Sequence, residues 1–454
     1  TALITDGSIW RAVWFLAWPS AINNITGAAY GFINAAFLGH LANQGEATNS
    51  LAAAGIAGNS IHLQFAFVMG LSAGTAALVS QSMGAGKHDD AEQAARQSLI
   101  VAVLAGIITG VPLALLGGPI AVLAKAAPDV VPLAAAYTAI IAWTSSIPWF
   151  IYMLSLVILR SQGDALSPFY TGVAMISLNI VFDWLLMFGV GPFPRLGISG
   201  AAWATAISRI AAMVMALYFL RRSSLGGALT KLRLDFSWIR RALVIGWPAS
   251  IQSLIMTAAG FAFIRILGLL PAAEKTAAQA AYTVAMRIEA ISFMPGVAYS
   301  TAATPLVGQN LGAGKPDRAA RSAWVAAGQA VAVMAFVGAL FLMIPRTLAA
   351  PFNPEPMVLP MIVSYLVINS FSQPFLALNM VLRGALQGAG DTLVPMLIIL
   401  GSLWVVRIPL QWFLAIHLKM GAPGAWWAMS ITASLAGILM VFWFKFGGWQ
   451  EKRI

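Results

Sequence analysis

The stretch Leu78 to Asp89 reads LVSQSMGAGKHD, and Leu306 to Asp317 reads LVGQNLGAGKPD. Eight of the twelve positions are identical. A second pair, Trp18-Pro19 and Trp247-Pro248, keeps almost the same spacing. Two matches at one register, about half a chain length apart, indicate that the chain is an internal duplication.

The composition identifies the environment in which the duplicated halves fold. Hydrophobic residues make up 60% of the chain and charged residues only 9%, whereas a soluble domain carries about 25% charged residues. The mean hydropathy of +0.83 agrees with an integral membrane protein. The net charge of +11 is then attributed to basic loops that set topology and contact anionic lipid. No nucleic-acid partner is expected.

Twelve apolar stretches are long enough to cross a bilayer, which takes about 20 residues as a helix. They are continuous rather than alternating, which excludes a β-barrel. The fold class predicted is therefore an all-α polytopic membrane protein with twelve transmembrane helices. The predicted spans are 12–38, 51–80, 97–124, 131–158, 167–190, 197–220, 242–270, 276–306, 322–345, 357–381, 393–416 and 422–446.

The loops assign an orientation to these spans. Basic residues concentrate on one side, above all in a central loop that contains Arg221, Arg222, Lys231, Arg233, Arg240 and Arg241. The positive-inside rule places that side, and both termini, in the cytoplasm. We expect a multi-pass protein of the cell inner (plasma) membrane.

An even number of spans in each repeat gives both halves the same orientation. The predicted domains are an N-terminal lobe at 1–220, a basic cytoplasmic linker at 221–241 and a C-terminal lobe at 242–454. The two parallel six-helix lobes would place a substrate site at their interface.

The glycine-rich segment Gly308 to Lys315, GQNLGAGK, only superficially resembles a phosphate-binding loop. Its spacing is one residue too long, and Pro316 replaces the Ser or Thr that would bind magnesium. The chain has no cysteine and no His/Glu metal cluster, so neither an enzyme nor a cofactor is expected. The predicted energy source is an ion gradient.

Four further motifs carry a resemblance to a known family: GQNLGAGKPDRA at 308–319, LRGALQGAGDTLVP at 382–395, LRSQGDALSP at 159–168, and RIEA at 287–290. Together with twelve spans in two parallel halves, the chain resembles the multidrug and toxic compound extrusion (MATE) family, most closely its DinF-like branch. The resemblance implies an antiporter that exports amphipathic organic compounds in exchange for H⁺ or Na⁺.

The acidic residues predicted inside the spans are Asp183 and Glu289. Asn179 precedes Asp183 by one helical turn, and Asn34 and Thr205 are expected at a similar depth. The resemblance assigns these four residues to an N-lobe cation site, with Na⁺ as one candidate ligand of Asp183 and Asn179. The family pattern has an aspartate where this chain has Asn34, whose amide cannot take up a proton. A buried ion pair with Arg209 is the structural alternative for Asp183.

Glu289 matches the family's acidic residue in the C-lobe and is predicted to bind a cation or the substrate. A permanent salt bridge with Arg265 or Arg407 is the alternative, because Arg287 points to another part of its helix. Four arginines within the spans, Arg209 among them, argue against a purely cationic substrate. His62, near the repeat equivalent of Glu289, is either a packed neutral histidine or a pH-sensitive group.

Pro19 and Pro248 interrupt the hydrogen bonding of spans 1 and 7, and the resemblance implies that bending at Pro19 accompanies transport. A static kink is the alternative at both positions. The other functions considered are a lipid or lipid-linked oligosaccharide flippase and a membrane-embedded enzyme or receptor. The chain is expected to work as a monomer with the bilayer and a small molecule as its partners.

Overall fold

The fold is described from a computed structural model that covers residues 2–40, 44–230, 234–352 and 355–452. In these ranges the chain is helical apart from short connections, and no strand occurs there. Within the helices, the side chains at 2–3, 32, 44–46, 59–60, 62–63 and 273 lie outside the description. Lys231 and Arg233 of the predicted basic linker lie outside the described residues as well.

Twelve membrane-scale helices follow one another in the predicted order. In the described chain, nine helices are long and apolar enough to cross a membrane, and a bent pair makes a tenth. The other two, α1 and α8, have 31 and 41 residues and occupy predicted spans 1 and 8. The predicted all-α membrane fold is confirmed. The helices are α1 Ile9–Gly39, α2 Gln44–Gly84, α3 His88–Leu123, α4 Val130–Ser161, α5 Leu166–Phe188, α6 Ile198–Arg222, α7 Phe236–Leu267, α8 Ala272–Gly312, α9 Pro316–Met343, α10a Val358–Ser370, α10b Gln373–Gly388, α11 Leu393–His417 and α12 Gly421–Phe446.

Span 10 was predicted as one helix at 357–381, and the structure breaks it into α10a and α10b with a bend of 59°. Pro374 agrees with a helix start at this point, because proline has no N–H for a helical hydrogen bond and is favoured in the first turn of a helix. The Ser372 hydroxyl donates to the Asn369 carbonyl across the gap, at 2.9 Å. The bend turns Gln373 into the first residue of a new helix.

The chain divides into two compact units, Ile22–Ser250 and Thr1–Ala21 with Ile251–Ile454. Both boundaries fall just after a helix proline, Pro19 in α1 and Pro248 in α7. The leading half of α1 is therefore grouped with the second repeat, and that of α7 with the first. The lobes at 1–220 and 242–454, which follow the repeats, stay a prediction.

Glycines explain how the leading half of α7 joins the unit Ile22–Ser250. A Cβ atom at Gly70 would lie 2.7 Å from the Gly246 carbonyl oxygen, and one at Gly246 would lie 2.5 Å from that of Gly70. One turn further along α2, a Cβ at Gly74 would collide with the Ala242 carbonyl. The two helices touch backbone to backbone, a close approach typical of small residues in membrane interfaces.

The duplicated GAGK motif forms the turn between α2 and α3 and again between α8 and α9. Gly86 and Gly314 adopt φ angles of 71° and 70°, a left-handed conformation that glycine enters without a Cβ clash. The amide of the following lysine then reaches back to close the turn, from Lys315 N to Asn310 O at 2.8 Å. This helix–turn–helix geometry agrees with the rejection of a phosphate-binding loop.

In the unit that contains the N-terminus, the turn before α9 holds the segment that precedes α1. Lys315 Nζ forms an ion pair with Asp6 Oδ1 at 2.6 Å. The Arg318 guanidinium donates to the Ile4 carbonyl at 3.2 Å and also to the Gly7 carbonyl. Both cations thus bind residues from the far end of the sequence. We call this contact the N-terminal clamp.

The other unit contains the repeat equivalent, which we call the linker clamp. Asp235 occupies the same place before α7 as Asp6 does before α1. Its amide donates to Gln97 Oε1 at 3.0 Å, and Gln93 reaches its carboxylate at 3.5 Å. Arg96 donates to the Gly227 carbonyl at 3.2 Å. In each unit, the first turns of the helix after the GAGK motif therefore hold the entry to the first helix of the other repeat.

The N-terminal clamp predicts that the protection of residues 2–8 depends on the charges of Asp6 and Lys315. Hydrogen bonding to Lys315, and then to Thr5, lowers the pKa of the Asp6 carboxyl below its ordinary value. Because the folded-state pKa is lowered, the contact stabilises the fold fully above the unfolded pKa of about 3.9. This stabilisation is lost as the pH falls through the lower folded-state pKa. We expect Lys315→Met to speed amide hydrogen exchange at residues 2–8 at neutral pH.

Hydrogen-exchange mass spectrometry, corrected for intrinsic rates, measures this effect. Wild-type protection of residues 2–8 should persist to about pH 4 and fall below it. Lys275→Met, at an exposed lysine in the first turn of α8, is the matched control and should leave residues 2–8 protected. Equal exchange in Lys315→Met and wild type would contradict the clamp.

Candidate functional site

The first candidate site surrounds Asp183 on α5, which is fully buried. Its Oδ2 accepts hydrogen bonds from Asn34 Nδ2 at 3.1 Å and from the Tyr30 hydroxyl at 3.4 Å, both on α1. Its Oδ1 has no hydrogen-bond partner among the described residues. A buried carboxylate with one unsatisfied oxygen is costly unless a proton or a cation occupies the position beside it.

The local helix geometry assembles this site. Tyr30 and Asn34 lie one turn apart on α1, and Asn34 Nδ2 also approaches the Tyr30 hydroxyl at 3.0 Å. Asn179 lies one turn before Asp183, is 5% exposed, and its Nδ2 has no partner in the described chain. The side chain of Thr205 lies beside the Tyr30 hydroxyl. The structure thus brings Asp183 and Asn34 into direct contact. Thr205 lies beside the hydroxyl of Tyr30, the second hydrogen-bond donor of Asp183.

A cavity of about 370 Å³ opens beside this carboxylate, within the unit Ile22–Ser250. Asn34, Asn179 and Thr205 line it, whereas Asp183 lies behind Tyr30 and Asn34 and is not among the lining residues. Ligand pockets of small molecules start at about 300 Å³. The other lining residues are Tyr30, Gly31, Gly58, Ile61, Tyr137, Ile141, Trp149, Met175, Ile176, Ser208 and Arg209.

Arg209 is not the partner of Asp183 in this structure. No ion pair joins the two within the described residues, where the pairs found are Arg96–Glu92, Lys315–Asp6 and Lys452–Asp391. The Arg209 guanidinium instead lies 4.4 Å from the ring centre of Trp149 and donates to Ser145 Oγ at 3.3 Å. It therefore belongs to the wall of the cavity.

The second candidate site surrounds Glu289 on α8, which is 3% exposed. Gln373 Nε2 donates to Oε1 at 3.0 Å, and the Tyr365 hydroxyl donates to Oε2. Both donors come from the bent span 10, because Tyr365 lies in the second half of α10a and Gln373 begins α10b. Ser292 fixes the Gln373 amide by donating to its Oε1 at 2.6 Å.

Aromatic rings enclose the Tyr365 side of this carboxylate. Tyr365 meets Trp426 edge to face at 5.1 Å, and Tyr282 stacks on Trp426 at 6.1 Å. The Phe263 ring packs against Tyr282 in a tilted arrangement, with the ring centres 4.9 Å apart. This cluster keeps water from Oε2 and leaves Glu289 with neutral donors as its direct partners.

The predicted arginine partners of Glu289 do not form ion pairs with it among the described residues. The side chains of Arg265 and Arg287 are exposed. Arg407 lies in a π-helical stretch of α11 and donates to Thr432 Oγ1 at 2.8 Å. The His62 side chain lies outside the described residues, so the two interpretations given for it stay predictions.

Sequence reasoning missed the tyrosines and the glutamine that hold the two carboxylates. The sequence contained a pattern that could have identified the second site. Tyr365, Asn369 and Gln373 recur at four-residue intervals in an apolar span, which is the spacing of polar residues on one helix face. Tyr30 stands in the same relation to Asn34. Because tyrosine was grouped with the apolar residues, the hydroxyl groups of Tyr30 and Tyr365 were not considered as hydrogen-bond donors.

The described residues contain no cluster of three or more His, Cys, Asp or Glu side chains suited to a metal ion. Each candidate site instead has one carboxylate with amide and hydroxyl groups around it. Such a set can accept one monovalent charge, as a proton or as a sodium ion bound by oxygens, which hard cations prefer.

Comparison with known proteins agrees with this architecture. The family model described as MatE matches twice, at residues 19–185 and 248–413, starting at the two helix prolines. A probable multidrug resistance protein NorM of Thermotoga maritima is 26% identical over 443 residues, which cover 97% of this chain and 93% of the relative. The multidrug resistance protein PmpM of Pseudomonas aeruginosa is 27% identical, with 94% and 89% covered.

Solved structures show the same fold. A crystal structure of a MATE protein in the bent conformation has a TM-score of 0.89 at 21% identity, and the match covers 98% of this chain and 96% of that one. An outward-facing multidrug resistance MATE transporter of the MOP superfamily has a TM-score of 0.87 at 21% identity, with 98% and 97% covered. The finer assignment to the DinF-like branch stays a prediction. The twofold family match, placed on twelve helices with a buried carboxylate in each half, shows that this chain belongs to the MATE family of transporters.

Proposed function

We propose that this chain is a secondary active antiporter that exports amphipathic organic compounds in exchange for H⁺ or Na⁺. One observation carries the proposal: Asp183 is fully buried, has an oxygen without a partner in the described chain, and lies directly behind a cavity wall. Family membership and the relatives named as multidrug resistance proteins support it. No observation specifically favours the flippase alternative.

Asp183 is the group that would bind the coupling cation in the first half. A proton on Asp183 Oδ1, or a sodium ion between Oδ1 and the Asn179 amide oxygen, would neutralise the carboxylate. Asn34 cannot exchange a proton, so its role is to hold Oδ2 through its amide N–H. Loss of the cation would leave an unbalanced charge inside the membrane, which costs several kcal/mol and favours a rearrangement of the helices that carry it.

Glu289 would be the second group that binds a cation or the substrate. Its two donors, Tyr365 and Gln373, flank the bend of α10, so a change of charge on Glu289 acts on a broken helix. Pro19 and Pro248 would serve as hinges, because the compact units change at the residues that follow them. The protein would act as a monomer in the inner membrane with cytoplasmic termini and without a cofactor.

Asp183→Asn tests the coupling role directly. The amide keeps the size of the side chain but cannot bind a proton or stabilise a cation, so gradient-driven efflux should fall at least tenfold while the protein stays folded. Efflux from proteoliposomes under imposed proton or sodium gradients measures the effect. Asp129→Asn, at an exposed loop aspartate, is the control. Normal efflux by Asp183→Asn would refute the assignment.

Asn34→Asp places a second carboxylate at the 3.1 Å contact with Asp183. Two like charges at that distance cannot both be ionised readily, so one proton should be held at higher pH than in the wild type. We expect the pH optimum of efflux to move upward by about one unit or more. An unchanged pH profile would show that residue 34 does not act on the coupling site.

Glu289→Gln separates coupling from structure. A coupling carboxylate predicts a melting temperature near that of the wild type and efflux that no longer responds to the gradient. A purely structural one predicts a lower melting temperature and normal efflux per folded molecule. Tyr365→Phe should weaken coupling in the same direction, because a hydrogen bond to a charged group contributes about 1.5–3 kcal/mol. Tyr282→Phe, in the same aromatic cluster, is the matched control.

A further inference from the structure

Four arginines lie where the chain passes from α6 to α7. Arg221 and Arg222 end α6, and Arg240 and Arg241 lie in the first two turns of α7. All four residues are exposed. We call them the α6–α7 patch. Both helix ends belong to the unit Ile22–Ser250 and lie on the side predicted to be cytoplasmic.

One apolar cluster lies between the two arginine pairs. Phe219 of α6 and Trp238 of α7 both pack against this cluster, and its fully buried members include Leu220 and Leu225. The end of α6 and the start of α7 are therefore held around a common core. The two pairs form one surface rather than two separate helix ends.

Aromatic rings order one guanidinium in each pair. The Arg222 guanidinium lies 4.6 Å from the ring centre of Tyr218, and that of Arg241 lies 5.4 Å from the ring centre of Trp238. A ring face attracts the cation but leaves its five N–H donors for other acceptors. Both groups are thus positioned for a ligand that supplies oxygen atoms.

The protein does not balance the charge of the α6–α7 patch. None of its four arginines forms an ion pair among the described residues. The acidic side chains that adjoin the linker have other partners: Glu92 pairs with Arg96 at 2.7 Å, and the Asp235 carboxylate accepts from the Ser237 amide at 2.9 Å. In the N-terminal clamp, by contrast, Asp6 balances a cation.

Exposed apolar side chains lead along both helices to the arginines. On α6, Val214 and Tyr218 precede Arg222 at four-residue steps and share its face, with 58% and 49% of their surface exposed. On α7, Val244 follows Arg240 by one turn and is 58% exposed. A soluble anion would cover only the arginines. A phospholipid would cover both parts, with its acyl chains on the apolar faces and its phosphates on the guanidinium groups.

We propose that the α6–α7 patch binds an anionic phospholipid with two phosphates in its headgroup, from the leaflet on the side predicted to be cytoplasmic. Arginine binds phosphate through paired, charge-assisted hydrogen bonds, and basic pockets between membrane helices on this side suit lipids of the cardiolipin class. Two arginine pairs match two phosphates. The bound lipid ties the end of α6 to the start of α7, and its site is separate from the proposed cation sites.

Native mass spectrometry of the purified full chain in detergent measures lipid binding directly, with cardiolipin, phosphatidylglycerol and phosphatidylcholine titrated separately. A basic residue near anionic lipid contributes about fivefold in affinity. We expect wild type to bind the first cardiolipin at least tenfold more tightly than phosphatidylcholine and at least threefold more tightly than phosphatidylglycerol. The double variant Arg222→Gln, Arg241→Gln should raise the cardiolipin Kd at least tenfold and change that of phosphatidylcholine less than threefold.

Two further double variants separate the patch from general charge. Lys275→Gln with Arg346→Gln removes the same charge from two exposed residues outside the patch and should change each Kd less than threefold. Arg222→Lys with Arg241→Lys keeps the charge but not the planar fork, so its cardiolipin Kd should be intermediate. If the glutamine variant does not fold, the lysine variant and the lipid preference of wild type decide.

Pyrophosphate distinguishes a lipid from a free anion, because it carries two phosphates without acyl chains. It should not displace cardiolipin at equal concentration, and displacement there would overturn the assignment to a lipid. Equal wild-type affinities for cardiolipin and phosphatidylglycerol would overturn the two-phosphate headgroup. Equal affinities for cardiolipin and phosphatidylcholine, or equal losses in the patch and control variants, would overturn the site itself. Because binding is measured without a gradient, none of these results depends on the antiporter proposal.

Discussion

The cost of an ionised group within the membrane is the constraint on which the rest of this structure depends. A chain with 9% charged residues still buries Asp183 and Glu289, each held by neutral donors and without an ion pair in the described chain, whereas the buried Asp391 is paired with Lys452. A salt bridge would hold each charge permanently, whereas amide and hydroxyl donors leave it dependent on a mobile cation. The proposed coupling depends on that difference, because the helices that carry the carboxylates would then favour different arrangements with the charge present and with it neutralised.

Each half of the chain holds a buried carboxylate, but different helices carry and hydrogen-bond it. Asp183 lies on the fifth helix of the first repeat and is held from α1, whereas Glu289 lies on the second helix of the second repeat and is held from the bend of α10. Repeat-equivalent positions are therefore not used for equivalent chemistry. The duplication preserves the helix order and the GAGK turns, and the sites have diverged on that scaffold. The proposed division between a cation site at Asp183, beside a cavity, and the Glu289 carboxylate, under an aromatic cluster, agrees with this divergence.

Helix order, the duplication and the two buried carboxylates were predictable from the sequence, because apolar length and rare intramembrane charge are strong local signals. The contact between Asn34 and Asp183 followed from comparing depths along two spans. The partners of the carboxylates were not predictable to the same degree. Arg209, Arg265 and Arg407 were considered as ion-pair partners on charge alone, and the structure places the first on a tryptophan and the last on a threonine hydroxyl. The bend before Gln373 was also missed, since Pro374 was not weighed against the apolar run around it.

The N-terminal clamp has a consequence for how the chain is made. Residues 2–8 are synthesised some three hundred residues before the side chains that bind them, Asn310, Lys315 and Arg318. At about 5–20 residues per second, the leading half of α1 waits for tens of seconds without its partners. Its Trp10 and Trp14 are exposed even in the finished fold. Closing the clamp is therefore a late assembly step, and a nascent chain stalled before α9 would leave residues 2–8 without the partners that hold them.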